Sequence, residues 1–215
     1  MVTENDAGMY FDVPKGKVIA VCVFAVFVAI GLFSDGHWIW GIVAIIVAIG
    51  LGALVAGIPS DVAIDASFDE LAKKRIKESL EKLGLEESDI IREPLTIIGV
   101  GNYDKAKEGS DGVWRFNPMV VEIIHFGKNQ LLTNTVQLDL LNQNSYTGKT
   151  NEFFYKDISA VSIEDSNDGG VASKRFLIKV HGQVELNTGI QKKQESVAED
   201  AVKAIRKTLR EKKQD

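Results

Sequence analysis

The chain has 215 residues, a formal net charge of −5 and 45% hydrophobic residues. That acidic balance leaves no basic footprint for nucleic acid. The single cysteine, Cys22, excludes a disulfide framework and a cysteine-based metal site, and fits a reducing cytoplasmic setting for any soluble part.

Residues 1–16 form an N-terminal arm. Two apolar runs follow, Lys17–Phe33 and Trp38–Ile58, with no charge after Lys17 and only Ser34, Asp35, Gly36 and His37 between them. An apolar helix of roughly 20 residues matches a hydrocarbon core of about 30 Å, and lipid leaves no partner for an unpaired backbone group, so both runs are expected to be helical. Residues 17–58 thus read as a transmembrane helical hairpin. A cleaved signal peptide would explain the first run with its Lys15 and Lys17, but a second, longer run so close behind favours a retained hairpin. A buried soluble hairpin would not need a second run so long and so uniformly apolar.

Lysine and arginine placement sets the expected orientation. Lys15 and Lys17 precede the first span, Lys73, Lys74, Arg75 and Lys77 follow the second, and the connecting turn has no lysine or arginine. Both termini are expected in the cytoplasm, with the protein multi-pass in the plasma membrane. Trp38 and Trp40 suit the outer interface. The second span carries Ala44, Ala48, Gly52 and Ala56 at every fourth position, and the first offers Ala25 and Ala29 at the same spacing. Such stripes allow close helix approach, either within the hairpin or between copies. Neither span contains an ionisable residue, which argues against a proton relay.

Residues 59–89 read as a connector and an amphipathic helix. Ser67-Phe68-Asp69-Glu70 fits a capping box, so the helix is expected over Phe68–Leu83, with an apolar stripe of Phe68, Leu71, Ala72, Ile76, Leu80 and Leu83 and a stop at Gly84. Its cluster of Lys73, Lys74, Arg75 and Lys77, offset by Glu70, Glu78 and Glu81, reads as a solvated face. Residues 90–215 switch to strand patterns: Ile90–Val100, Trp114–Phe126, Gln130–Leu141, Glu152–Glu164, Arg175–Val180 and Gln183–Leu186. Asn102–Gly112 and Asp165–Ser173 are expected loops, and His181-Gly182 a tight hairpin turn. A closing helix is expected from a second capping box, Ser196-Val197-Ala198-Glu199, with Val197, Ala198, Ala201, Val202, Ile205 and Leu209 on one stripe. Its basic residues, Lys203, Arg206, Lys207, Arg210, Lys212 and Lys213, suit the last turns of a helix; they could touch anionic lipid but read first as a solvated face.

No grouped acid, base and nucleophile can be placed from these residues. Gly99-Val100-Gly101 lacks the third glycine and following helix of a dinucleotide loop. His125 and His181 have no metal-ligand spacing around them. A histidine paired with Asp157 or Asp139 could act as a base, but no nucleophile motif accompanies it. No catalytic, cofactor or metal residue is assigned.

Gln130-Leu131-Leu132-Thr133-Asn134 and Phe154-Tyr155-Lys156-Asp157-Ile158-Ser159-Ala160-Val161, followed by a hairpin and a closing helix, resemble segments of bacterial pleckstrin-homology-like (PH-like) domains. The resemblance covers roughly residues 90–213. It implies an α+β fold: the helical hairpin, then a PH-like antiparallel β-barrel or strongly bent seven-stranded sheet capped by the C-terminal helix. It also implies binding or assembly rather than catalysis. Lipid-binding relatives of that fold carry several basic residues on the first hairpin; Tyr103–Asp111 is nearly balanced in charge here, so no lipid-headgroup residue is assigned.

The expected function is a non-catalytic, membrane-anchored scaffold whose partners are the bilayer and either a protein or further copies of the chain. The alternative is a subunit of an oligomeric channel or transport complex, which the lack of polar pore-lining residues counts against; an enzyme ranks last. Gly52→Ile is expected to crowd helix association and to change the oligomer distribution measured in detergent and in lipid. An unchanged distribution would count against the stripe as an interface.

Overall fold

The computed structural model describes residues 1–168 and 171–213. They fall into two units, Met1–Ser67 with Lys107–Val113, and Phe68–Ala106 with Trp114–Asp215.

In the first unit the expected arm contains a helix, α1 (Glu4–Asp12). Thr3 Oγ1 accepts from the Asp6 amide at 3.1 Å, and Asp6 Oδ2 accepts from the Thr3 amide at 3.3 Å. This is a reciprocal capping box with Asp in place of Glu. The two apolar runs become α2 (Lys15–Ser34) and α3 (Trp38–Gly57), of 20 residues each. Both are long and apolar enough to cross a membrane. Between them, Gly36 takes φ +80°, the His37 amide bonds the Leu32 carbonyl at 2.8 Å and the Gly36 amide bonds the Phe33 carbonyl at 3.3 Å. These two bonds satisfy carbonyls that the end of α2 would otherwise leave open, and the left-handed residue they need is a glycine.

The less exposed positions of α2 are Lys15, Val18, Cys22, Ala25, Ala29 and Leu32; those of α3 are Gly41, Ala44, Ala48, Leu51 and Val55, followed by its C-cap Ile58. Both sets alternate steps of three and four, the spacing of a left-handed helix pair. At the turn end, a Cβ on Gly41 would lie 2.8 Å from Phe33 Cε2, so the Phe33 ring occupies the space of the missing side chain.

The next helix, α4 (Asp61–Leu83), starts earlier than the sequence suggested. Its cap is Ser60, whose hydroxyl accepts from the Ala63 amide at 3.2 Å. Ser67 lies inside the helix instead: its hydroxyl donates to the Ala63 carbonyl at 2.9 Å and accepts from the Val2 amide at 2.8 Å. A serine that can bond the carbonyl four residues back sits inside a helix at little cost, so two serines at helical spacing compete for the role of cap. The helix ends where expected: Gly84 has φ +63°, and the Leu85 amide reaches the Leu80 carbonyl at 3.0 Å.

The second unit, from Phe68 on, holds the sheets. Antiparallel strands β1 (Ile90–Gly99), β4 (Met119–Gly127), β5 (Gln130–Leu138) and β6 (Gly148–Phe154) make one sheet in the order β1-β4-β5-β6. Strands β7 (Ile158–Asp168), β8 (Val171–Val180) and β9 (Gln183–Ile190) make a second, in chain order. A short pair, β2 (Lys105–Glu108) and β3 (Trp114–Asn117), occupies part of the expected loop and of the expected Trp114–Phe126 strand. Pro118, after a cis peptide bond, separates β3 from β4; a residue with no amide hydrogen cannot continue the ladder. The turn Tyr155–Asp157 likewise divides the expected Glu152–Glu164 strand. The expected loop Asp165–Ser173 is largely strand, and its Gly169-Gly170 lies outside the described residues. The β8–β9 turn is the expected His181-Gly182, with φ +49° and +84°, the two-positive turn that matches strand twist.

The sheets do not close into a barrel among the described residues: β6 and β7 belong to separate sheets. The sheets meet at β1 and β9, where the Gln191 amide bonds the Ile98 carbonyl at 3.4 Å. A Cβ on Gly99 would fall 1.6 Å from the Gly189 carbonyl oxygen. Gly99 is therefore fixed by backbone approach, the structural use of glycine that the Gly-Val-Gly segment reflects. The core lies on the inner faces, with Ile97, Ile124, Phe126, Leu131, Phe176 and Ile178 from the strands. Helix α5 (Glu195–Lys212) closes it with Ala198, Ala201, Val202, Ile205 and Leu209. The expected Ser196 capping box is not formed. A 3-10 turn over Lys192–Gln194 leads into the helix, Gln194 caps without a side-chain bond, and Glu195 instead meets Lys174 at 2.7 Å.

Strand β4 is buried on both faces, which is why it reads as an unbroken apolar run. Even-numbered Ile124 and Phe126 face the core. On the opposite face His125 meets α4 through Ser79, and Arg75 of the same helix, 1% exposed, bonds the Gln143 carbonyl at 3.0 Å and the Ser145 carbonyl, pairs with Glu78 at 2.5 Å and lies 5.3 Å from the Tyr146 ring centre. The expected solvated face thus holds for Lys73, Lys74 and Lys77 but not for Arg75; its planar fork is what can serve two carbonyls and a carboxylate at once. Arg75→Ala is expected to destabilise the body by about 3 kcal/mol, because buried acceptors lose their donor. Thermal unfolding of the full chain in detergent checks this, with Arg75→Lys falling between wild type and the alanine variant.

Candidate functional site

The six small residues read as helix-packing candidates divide by position. Ala25, Ala29, Ala44 and Ala48 lie on the α2–α3 seam, whereas Gly52 and Ala56 are exposed. A strict four-residue step advances about 40° beyond each helical turn, so it drifts off a seam built on alternating threes and fours. A Cβ on Gly52 would meet no atom within 4 Å, so a larger residue there crowds nothing inside the hairpin.

The titratable side chains give three groupings. His181 Nε2 stands 3.8 Å from Asp157 Oδ1 beside the β8–β9 turn, with the imidazole 75% exposed. Asp139 accepts from Asn117 Nδ2 at 2.7 Å and from the Leu141 amide at 2.9 Å, a turn-holding role. Ser79 Oγ lies 2.7 Å from His125 Nε2, with both side chains fully buried. Burial lowers the His125 pKa, so the ring stays neutral. Ser79 Oγ also reaches the Ile76 carbonyl at 2.7 Å, and His125 Nδ1 has no partner. A nucleophile needs a base that is itself oriented by a third group, and that group is missing among the described residues. No cluster of three or more His, Cys, Asp and Glu side chains is placed to hold a metal among them either.

Glu122 is the polar residue that strand reasoning passed over. It lies on the core-facing side of β4, fully buried, and opposite Thr135 in register. Its Oε2 accepts from Thr135 Oγ1 at 2.7 Å and from Thr188 Oγ1 at 3.3 Å, while Oε1 has no hydrogen-bond partner. Burial raises its pKa to about 7, against the pull of the threonine hydroxyls.

A groove of about 510 Å³ runs between β7 and α5. Its floor is apolar, formed by Ile158, Val161 and Leu209, each under 10% exposed, and its rim is basic, formed by Arg206, Arg210 and Lys213. Strand β7 is an edge of its sheet, with no further strand paired to it among the described residues. Two of the rim residues reach back onto that edge: Arg206 Nε donates to the Val161 carbonyl at 2.9 Å, and Lys213 Nζ donates to the Ile158 carbonyl at 2.8 Å. This anchoring fixes the Arg206 guanidinium and leaves its two terminal nitrogens for a carboxylate. Two other basic residues of α5 behave differently: Lys203 pairs with Asp200 at 2.9 Å and Lys207 with Glu211 at 4.0 Å along the helix. The basic run carries no sign of this division, which depends on which side of α5 meets β7.

The chain matches no protein-family model and no curated protein sequence.

Glu122 makes stability depend on pH in a definite direction. Its carboxyl holds a proton more tightly when folded, at about 7, than the ordinary 4.5. The folded state therefore binds more protons between those values, and stability falls as pH rises through them. Relative to Glu122→Gln, the wild-type chain is expected to lose about 3 kcal/mol between pH 4.5 and pH 8. Thermal melts of both proteins across that range measure the difference, and parallel profiles would contradict it.

Proposed function

We propose that the chain is a non-catalytic, membrane-anchored adaptor that presents a PH-like body at the cytoplasmic face and docks an extended acidic segment of a partner protein in the β7–α5 groove. The observation that carries this is the groove itself: a strand edge with an apolar floor and a basic rim of Arg206, Arg210 and Lys213. An extended peptide beside a sheet edge draws affinity from backbone bonds and specificity from alternate side chains. A basic rim selects acidic ones.

The PH-like assignment is supported by the body's four- and three-stranded antiparallel sheets followed by a C-terminal helix. That strand number and closing helix are what the resemblance implies, with the β2–β3 pair as an addition. Membrane placement is supported by two helices long and apolar enough to span. Cytoplasmic termini are supported by Lys15 and Lys17 before α2 and by exposed Lys73, Lys74 and Lys77 after α3. Trp38 and Trp40, 60% and 65% exposed at the turn end of α3, suit the opposite interface.

A photo-crosslinking amino acid at position 210 of the full chain in intact membranes is expected to capture a protein through an acidic segment identified by mass spectrometry. Arg206→Glu should lower the yield about tenfold, the effect of turning one attractive contact into a repulsive one. Equal yields from both proteins would remove the groove from consideration.

A further inference from the structure

At the polar end of the hairpin, within the first unit, a cavity of about 490 Å³ is lined by Lys15, Lys17 and Lys107 together with Tyr10 and Asp61. Each of two lysines is fixed by backbone oxygens. Lys15 Nζ donates to the Ile58 and Pro59 carbonyls at 3.2 and 2.7 Å, just past the end of α3. Lys107 Nζ donates to the Tyr10 carbonyl and to the Val13 carbonyl at 2.9 Å, at the end of α1. Carbonyl dipoles orient an ammonium without cancelling its charge, and each ammonium has three donors. Burial, and then the Lys15 charge, hold the Lys107 ammonium below the ordinary lysine range, with Asp61 pulling the other way. The nearest carboxylate, Asp61, accepts from the Tyr10 hydroxyl at 2.7 Å and from the Ser110 amide and hydroxyl at 2.8 and 2.6 Å. Glu108 on the rim is exposed to solvent. Pro14 precedes α2 with no side-chain cap, and its carbonyl accepts from the Lys17 and Val18 amides at 2.9 and 3.1 Å.

We propose that this cavity binds the phosphate group of an anionic phospholipid, held by Lys15, Lys17 and Lys107 where α2 enters the bilayer. The inference rests on the reading that α2 and α3 span the membrane. Lys15 is the first residue of a 20-residue apolar helix, so a spanning α2 puts the cavity at headgroup level, where an anionic surface attracts basic residues. A phosphate oxyanion there takes charge-assisted bonds from ammonium groups already oriented. No such site is legible in the sequence because Lys107 lies far along the chain from Lys15 and Lys17 and beside Asp104 and Glu108.

The test is native mass spectrometry of the full chain released from detergent with phosphatidylglycerol, phosphatidylcholine or inorganic phosphate. The wild type is expected to retain one phosphatidylglycerol about tenfold more than phosphatidylcholine. Lys17→Gln, which removes a lysine with no fold-holding bond, should lower that retention about fivefold, while Lys203→Gln on α5 leaves it unchanged. Equal retention of the two lipids, or equal losses in the two variants, overturns the site. Displacement by millimolar inorganic phosphate would overturn the lipid as its source. Alkaline extraction of membranes separates the two readings: a chain that is extracted ends the spanning hairpin, whereas a retained chain with no lipid preference ends only the phosphate site.

Discussion

A helix pair whose outward side chains are phenylalanine, valine and isoleucine has no stable place in water. Phe24 and Phe27 are each 69% exposed, and Ile46 and Ile49 62% and 66%. The only cover the hairpin gives itself is the narrow seam from Val18 to Leu32 and from Gly41 to Ile58. The rest of that surface is large enough to demand an apolar surrounding. Helical hydrogen bonding within each segment and the glycine turn between them are the conditions under which such a surface enters hydrocarbon with its backbone satisfied. The proposed membrane placement rests on that demand.

The body is organised by a different constraint. Because β4 is covered on both faces, polar groups on either side of it must find partners within the protein. On the α4 side Ser79 serves His125 Nε2 and loop carbonyls serve Arg75, while His125 Nδ1 and Arg75 Nε have no partner among the described residues. On the core side Glu122 is only half served, with one carboxylate oxygen bonded to threonines and the other bonded to nothing. A neutral carboxyl tolerates that environment and an ionised one does not. The burial that excludes water from the sheet therefore also ties the body's stability to protonation near neutral pH.

How much the sequence revealed depends on whether a signal was periodic or singular. The apolar runs of α2 and α3, the α5 stripe, the Gly84 stop and the His181-Gly182 turn repeat or punctuate strongly, and each was legible. The start of α4 was not, because Ser60 and Ser67 both precede helical residues and only tertiary bonding tells a cap from an interior serine. Arg75 sat within a run of bases that looked uniformly solvated; the loop at Gln143–Ser145, distant in the chain, buries it. Glu122 lay within an apolar strand whose alternation gave no hint that its position faces inward. Lys107 and Arg206 took their roles from backbone carbonyls brought near by folding, and no spacing rule reports those. Periodicity reads faces; it does not read partners.

Those partners are what favour the proposed docking role over a catalytic one. A reactive serine must lend its proton to a base that can take it, beside space for a substrate. At Ser79 the base is a neutral buried imidazole with no third group to orient it, and a nearby helix carbonyl competes for the same hydroxyl. The β7–α5 groove has the opposite properties: open volume, cations held in place, and guanidinium nitrogens left over. Those are the properties the proposed docking role calls on, and for a membrane-anchored chain weak binding is sufficient. A tethered groove searches a surface rather than a volume, which raises the effective concentration of any partner held to the same leaflet. On that argument the groove needs only modest intrinsic affinity, which agrees with a shallow site whose edge carbonyls are already shared with its own basic rim.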